Sequence, residues 1–222
     1  MAFLNVKQTD VVKEGGSSYI NKSGIYKLTL KHGEVTVTPN GATQLNYFFD
    51  KAMSYGNNII GINGQPTFGF KILEALAVVL GHDELSDPEP TTVTFKKGPK
   101  ELSCLPELND VEVYAWIKIA YRMYKGDIKE DVQVRRFYRA SDMAAGSEIS
   151  ALALGDDTVV IGERYAKDME VASEIAYEDG TTPETVAAWK KAQQSGGGAS
   201  APTPAAKSSF PGRAAAGFPG AK

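Results

Sequence analysis

The sequence predicts an α+β fold that is mainly antiparallel β: a small closed barrel with one short helix, followed by two C-terminal helices and a disordered tail. Three observations carry this expectation. Apolar and polar residues alternate through most of the first 140 positions, as in half-buried strands. Helical spacing interrupts that alternation once, around residues 70–80, and becomes the rule after Gly155. Beyond Gln194 the composition collapses to Gly, Ala, Ser and Pro, too little apolar surface to offset the entropy of ordering. The chain is therefore divided into a β-domain at 1–155, an acidic helical extension at 156–194 and a flexible tail at 195–222.

The elements follow in order. Behind Ser23-Gly24, Tyr26, Leu28 and Leu30 face one way, and Ile25, Lys27, Thr29 and Lys31 the other. His32-Gly33 is expected to turn the chain into Val35 and Val37, a hairpin closed at its far end by Pro39-Asn40-Gly41. Short strands are expected at 46–50 and 59–62, parted by Gly56-Asn57-Asn58. Ile72, Leu73, Leu76, Ala77 and Leu80 recur at helical spacing, and Gly81 stands where a C-terminal cap belongs. Past Asp87-Pro88-Glu89-Pro90 come strands at 91–96, 111–124 and 132–138. One helix among five or more strands suits a small barrel better than a parallel sheet, whose crossovers each need a helix. Helices are expected at 163–177 and 183–194, the latter with Thr182 as N-cap, Pro183 at its first position and Glu184 in its first turn.

Composition excludes several classes. The 222 residues, 42% of them hydrophobic, suffice for one core-bearing domain with extensions. The longest apolar stretch, at 72–80, contains Glu74 and is far short of the ~20 residues that cross a bilayer, so no membrane role is expected. The N-terminus lacks the apolar core of a secretion signal, so the expected location is the cytosol. A lone Cys104 and only two histidines, His32 and His82, exclude an internal disulfide, a zinc finger and most His-based catalytic sites. The net charge of −3 hides an asymmetry: residues 93–139 carry +3, residues 140–194 carry −7 and residues 195–222 carry +3. A polyanionic partner is therefore not excluded.

The segment at 111–124 is the most informative. Val111, Val113, Ala115, Ile117 and Ile119 form a core face, while Tyr114, Trp116, Lys118, Arg122 and Tyr124 share the opposite one. Aromatics interleaved with cations are the makings of a base-stacking platform with phosphate-neutralising groups beside it. Arg135, Arg136, Phe137, Tyr138 and Arg139 repeat the combination on the next strand, and Arg both stacks on bases and forks phosphates. Lys96, Lys97 and Lys100 extend the basic track. The same residues also suit a second core layer roofed by the C-terminal helices, with the arginines paired to helix carboxylates. In the tail, Phe-Pro-Gly occurs at Phe210 and again at Phe218, each near a cation, as a duplicated docking motif would.

Motifs of catalysis are missing from the chain: no phosphate-binding loop, dinucleotide fingerprint, nucleophile elbow or HExxH is present, and no cofactor is expected. The pairs Asp156-Asp157 and Asp83-Glu84 are the only hint of a carboxylate-and-metal nuclease, a third-ranked alternative.

The early strand at Ser23-Gly24-Ile25-Tyr26, the Gly-rich stretch from Gly61 to Gly69 leading into a helix, the 111–124 strand and a low-complexity tail together resemble the single-stranded DNA-binding proteins of tailed bacteriophages. The resemblance covers about residues 20–140 and the plan of a tail. It implies an OB-like five-stranded barrel that coats single-stranded DNA in replication and recombination, in the cytoplasm of an infected bacterial host, without catalytic activity. In some small phages with their own RNA polymerases, similar proteins also hold melted promoters open and recruit that polymerase. The tail, through Phe210 and Phe218, would then dock the polymerase or replication proteins, and a homo-oligomer is compatible with the family. This chain departs from it in one respect: those proteins usually end in an acidic tail with a terminal aromatic, whereas here the tail is basic. The alternative from another class is a phage structural or assembly protein that binds other proteins through its β-domain and tail.

Overall fold

The computed structural model describes residues 19–95 and 97–194. In chain order the elements are β1 (Gly24–Val37), β2 (Thr43–Phe49), β3 (Met53–Ile60), α1 (Phe68–Leu80), β4 (Glu89–Phe95), β5 (Gly98–Cys104), a 3-10 turn at Pro106–Leu108, β6 (Val111–Tyr124), β7 (Asp127–Arg139), α2 (Gly146–Ala153), α3 (Glu163–Val171), β8 (Ala176–Glu178) and α4 (Pro183–Gln194). The fold is α+β, and the described residues form one mostly antiparallel, open sheet of eight strands.

β1 organises the sheet. Its first half pairs with β6, from Gly24 opposite Ile117 to Leu30 opposite Val111, and its second half pairs with β2. A single bridge, Glu34 to Cys104, joins it to the β4–β5 hairpin. The turn expected at His32-Gly33 is absent, because the strand continues through a bulge between Leu30 and His32. Gly33 serves close packing instead: a Cβ there would meet Leu108 Cδ1 at 2.5 Å. The turn that does form joins β1 to β2, with the Thr38 hydroxyl donating to Ala42 O at 3.0 Å. Gly56-Asn57-Asn58 likewise stays within β3 as a bulge, where Asn57 Nδ2 donates to Leu45 O at 3.0 Å.

The expected closed five-stranded barrel is corrected by the ladders. Among the described strands β7 pairs only with β6, so no ladder joins it to β3, and α1 packs across both strands where a closing ladder would run. The apolar stripe of α1 faces inward through Ile72, Leu73, Leu76 and Ala77, and Gly81 caps it in the left-handed conformation, φ 79°. Leu28, Leu30, Leu45, Tyr47, Phe49, Val113, Ala115, Ile117 and Phe137 form the main core with it. A second cluster, Phe48, Leu102 and Cys104, lies on the other face of β2 and β5 with Met53, Val93 and Phe95 packed beside it.

The helix expected over 163–177 ends at Val171, and the chain becomes β8. The cause lies in β6, whose edge is paired by β1 only as far as Ile117. Ser23 Oγ accepts the Ile119 N–H at 2.9 Å, and β8 takes the edge beyond it in parallel, Ala120 opposite Ala176 through Arg122 opposite Glu178. The Thr181 hydroxyl then donates to Tyr121 O at 2.7 Å. α4 follows as expected, with Thr185 N donating to Thr182 Oγ1 at 3.3 Å, and it adds Val186 and Trp189 to the main core.

Candidate nucleic-acid interface

β6 and β7 hold the cationic and aromatic side chains in register. Val113, Ala115, Ile117 and Ile119 are buried, so Tyr114, Trp116, Lys118, Arg122 and Tyr124 share the opposite face. Across the ladder, Tyr114 stands opposite Tyr138, Trp116 opposite Arg136 and Lys118 opposite Gln133. The register slips between Trp116 and Ile117, leaving Arg135 as the extra residue of a bulge. That bulge reverses the facing of β7: Val134 points inward before it and Phe137 after it, while Arg136 and Tyr138 point outward.

Much of this face is covered by α3. Tyr165 sets its ring edge against Tyr114, centroids 5.6 Å apart, and against Tyr138 at 5.2 Å. Asp168, only 4% exposed, lies at the centre of the contact. Its Oδ2 accepts the Tyr138 hydroxyl at 2.7 Å and the Arg164 Nε–H at 3.1 Å. Arg136 Nε lies at the same 3.1 Å, forming an ion pair without an aligned hydrogen bond, and the Trp116 indole N–H is buried with no acceptor among the described residues. Glu148 fixes the start of α3, accepting the N–H groups of Ala145 at 2.8 Å, Gly162 at 3.2 Å and Arg164 at 2.7 Å.

Two expected stacking residues are thereby corrected. Phe137 is in the main core, its ring edge against Tyr47 at 5.3 Å, and Tyr138 is buried under α3. Neither ring meets solvent, so neither stacks on a base in this structure. Desolvation, with Asp168 accepting its proton, pushes the Tyr138 hydroxyl far above the usual tyrosine range. Arg139 is turned to Asp142, at 2.9 and 2.6 Å, a bidentate contact that raises its already high pKa. Tyr114, Trp116 and Lys118 are half-buried.

The open cation and aromatic groups lie elsewhere on the hairpin. Tyr124, 46% exposed at the β6–β7 turn, has Arg122 Cζ 5.6 Å and Lys125 Nζ 5.3 Å from its ring centroid. Arg122 also hydrogen-bonds Asp131, which raises its pKa. Arg135 is exposed and lies 5.7 Å from the ring of Phe68, itself 61% exposed at the start of α1. Lys97 is exposed, and Lys96, Phe210 and Phe218 lie outside the described residues.

A further aromatic face, on β2 and β3, is not evident from the 111–139 region. Phe48 on β2 sets its ring edge against Tyr55 at 5.6 Å and against Phe95 at 5.9 Å, and Tyr55 is 60% exposed. Lys100 reaches this face, its Nζ 3.8 Å from Glu34 Oε1, and Asn46 Nδ2 donates to Glu34 Oε2 at 2.9 Å. Farther along the same strands stand Gln44 and Asn58, paired in register. The sequence signal was the run of amides and aromatics over 44–58, which reads locally as turn chemistry.

The remaining candidates are structural. Cys104 is buried in the second cluster, and burial pushes its thiol up. His32 Nδ1 lies 3.1 Å from Asn109 Oδ1. Asp156 accepts from Thr158 N at 3.1 Å and from its hydroxyl at 2.6 Å, as in an Asx turn. Among the described residues no three His, Cys, Asp or Glu side chains group as a metal site would, and no helix is long and apolar enough to cross a membrane. Comparison with protein-family models and with curated proteins finds no match for this chain.

Proposed function

We propose that this protein binds single-stranded DNA without sequence preference and without catalysing a reaction. The fold supports the reading through its connectivity. A long β1 takes part in two ladders, β1–β2–β3 form a meander, α1 stands between β3 and β6, and β6–β7 make a hairpin. We read that order as an OB-like scaffold with β4–β5 as an inserted hairpin. Such scaffolds are often partly open, and bind oligonucleotides on the face of their second and third strands between the two flanking loops. The observation that carries the proposal is the exposed Tyr55 ring on that face, backed by Phe48 and Phe95 and bordered by Lys100. Bases would stack there, and Arg122, Tyr124 and Lys125 at the β6–β7 turn would hold the strand beyond. In this reading the protein serves bacteriophage DNA replication and recombination in the host cytoplasm, its tail recruiting replication proteins or a phage RNA polymerase.

Anisotropy of a labelled oligo(dT) tests this directly. Binding is expected at low salt, weakening with a log–log slope of about −0.7 per phosphate neutralised. Tyr55→Ala is expected to cost about 1–3 kcal/mol for a stacked base while leaving the fold intact. No binding at low salt would overturn the proposal.

A protein-binding role is the second reading, favoured by apolar side chains around α2 and α3. Leu154 is 89% exposed, and Val160, Met169 and Ile175 are exposed as well. An assembly protein would bury these in an oligomer and leave oligonucleotides unbound.

A further inference from the structure

The turn between β1 and β2 faces the loop after β3 across a cleft of about 570 Å³, bounded by Thr38, Asn40, Gln44, Asn58, Ile62 and Asn63. Among the described residues that line it, none carries a charged side chain. A phosphate would find no cation among them, whereas a neutral group able to match amides would find several.

Within the cleft Gln44 Nε2 donates to Asn58 Oδ1 at 2.8 Å. Gln44 Oε1 and Asn58 Nδ2 take no other partner among the described residues, so the pair presents one acceptor beside one donor. Turning both amides over reverses the internal hydrogen bond and the order of the two free groups, with no movement of the ladder that holds Gln44 opposite Asn58. The arrangement is therefore a donor–acceptor pair of either polarity.

Every unpaired nucleobase carries a donor next to an acceptor on its Watson–Crick edge. These are the amino group and N1 of adenine, the amino group and N3 of cytosine, N1–H and O6 of guanine, and N3–H and O4 of thymine. In a duplex the partner base occupies that edge. We propose that Gln44 and Asn58 read the Watson–Crick edge of one unpaired base, so that the cleft rejects duplex yet accepts all four bases. Exposed Ile62 gives the face of the base an apolar wall, and the phosphates stay outside. This inference rests on the single-stranded DNA reading above, and it assigns that site its selectivity.

The test compares oligo(dT) with an oligonucleotide of the same length built wholly of N3-methylthymidine, which keeps the charge and the stacking faces but blocks the Watson–Crick edge. The intact protein is expected to bind the methylated strand at least about fivefold more weakly. The double variant Gln44→Met, Asn58→Leu, its fold checked by circular dichroism, is expected to bind both strands alike, at the weaker affinity. Equal binding of both strands by the intact protein overturns the inference while the DNA reading stands. A preference that survives in the double variant overturns the assignment to this cleft. Failure to bind either strand at low salt overturns the DNA reading itself.

Discussion

The hydroxyl of Tyr138 on β7 donates to Oδ2 of Asp168 on α3 at 2.7 Å, and that one carboxylate oxygen also faces Arg136 and Arg164 at 3.1 Å each. A buried carboxylate with three positive or donating neighbours fixes α3 to the sheet. Removing its charge leaves Arg136 against a neutral, desolvated contact. Asp168→Asn is therefore expected to lower stability by about 3 kcal/mol, read as a fall in the urea midpoint at unchanged m-value. An unchanged midpoint would show that α3 is held by Tyr165 and Glu148 alone.

Alkaline pH tests the buried phenols. Burial raises the hydroxyls of Tyr47, Tyr121 and Tyr138 well above their ordinary value near 10, with Glu130 adding to the effect at Tyr121 and Asp168 at Tyr138. The unfolded chain ionises these groups first, so their contribution is fully present below about pH 10 and is lost as pH rises beyond it. Melting temperatures from pH 8 to 11 should be flat, then fall. Tyr47 offers a cleaner probe, because its hydroxyl is buried without a partner among the described residues. Tyr47→Phe should raise stability by up to about 1 kcal/mol near neutrality and flatten the alkaline fall.

Gly69 sits where α1 meets β3. A Cβ added there would lie 2.2 Å from Asn58 O, and backbone cannot yield as a side chain does. Gly69→Ala is expected to destabilise by about 1–3 kcal/mol by overpacking. It should also disturb the Gln44–Asn58 cleft, so weaker oligonucleotide binding is expected beside the lower melting temperature.

At the β6–β7 turn, Lys125 packs over Tyr124 and has no ion pair among the described residues. If its ammonium neutralises one phosphate, Lys125→Ala reduces the salt slope of oligonucleotide binding by about 0.7 while preserving stability. An unchanged slope would remove this turn from the DNA path.

Local pattern made the strands legible where one face is buried and the other wet. Val113 to Ile119 alternate against a single core, and β6 spans Val111–Tyr124 as the alternation indicated. α4 was readable from Thr182, Pro183 and Glu184 for the same local reason. Long-range pairing was not. Gly33 reads as a turn residue because nothing near it in sequence announces Leu108, and the helical pattern after Val171 gives way only because β6 has an unpaired edge. The candidate site failed in a like manner. Phe137 and Tyr138 carry the right chemistry, but the Arg135 bulge and the arrival of α3 decide which rings meet water. The β2–β3 face is hidden because its amides and aromatics over 44–58 read locally as turn chemistry, and Phe95 and Lys100 join them only in the folded sheet.

The sharing of β1 between ladders bears on how the chain reaches this structure. Its partner residues on β2 lie a short hairpin away, but Tyr26 must find Ala115 and Gly24 must find Ile117, across most of the sheet's own sequence. Pairings of such high sequence separation slow folding, since the loop must close before any contact rewards it. During synthesis the first half of β1 would leave the ribosome with an unpaired apolar edge, Leu28 and Leu30 included, and wait for β6. The β1–β2–β3 meander has all its pairing partners early, so the interval before β6 emerges is when the nascent chain is expected to be most exposed to aggregation.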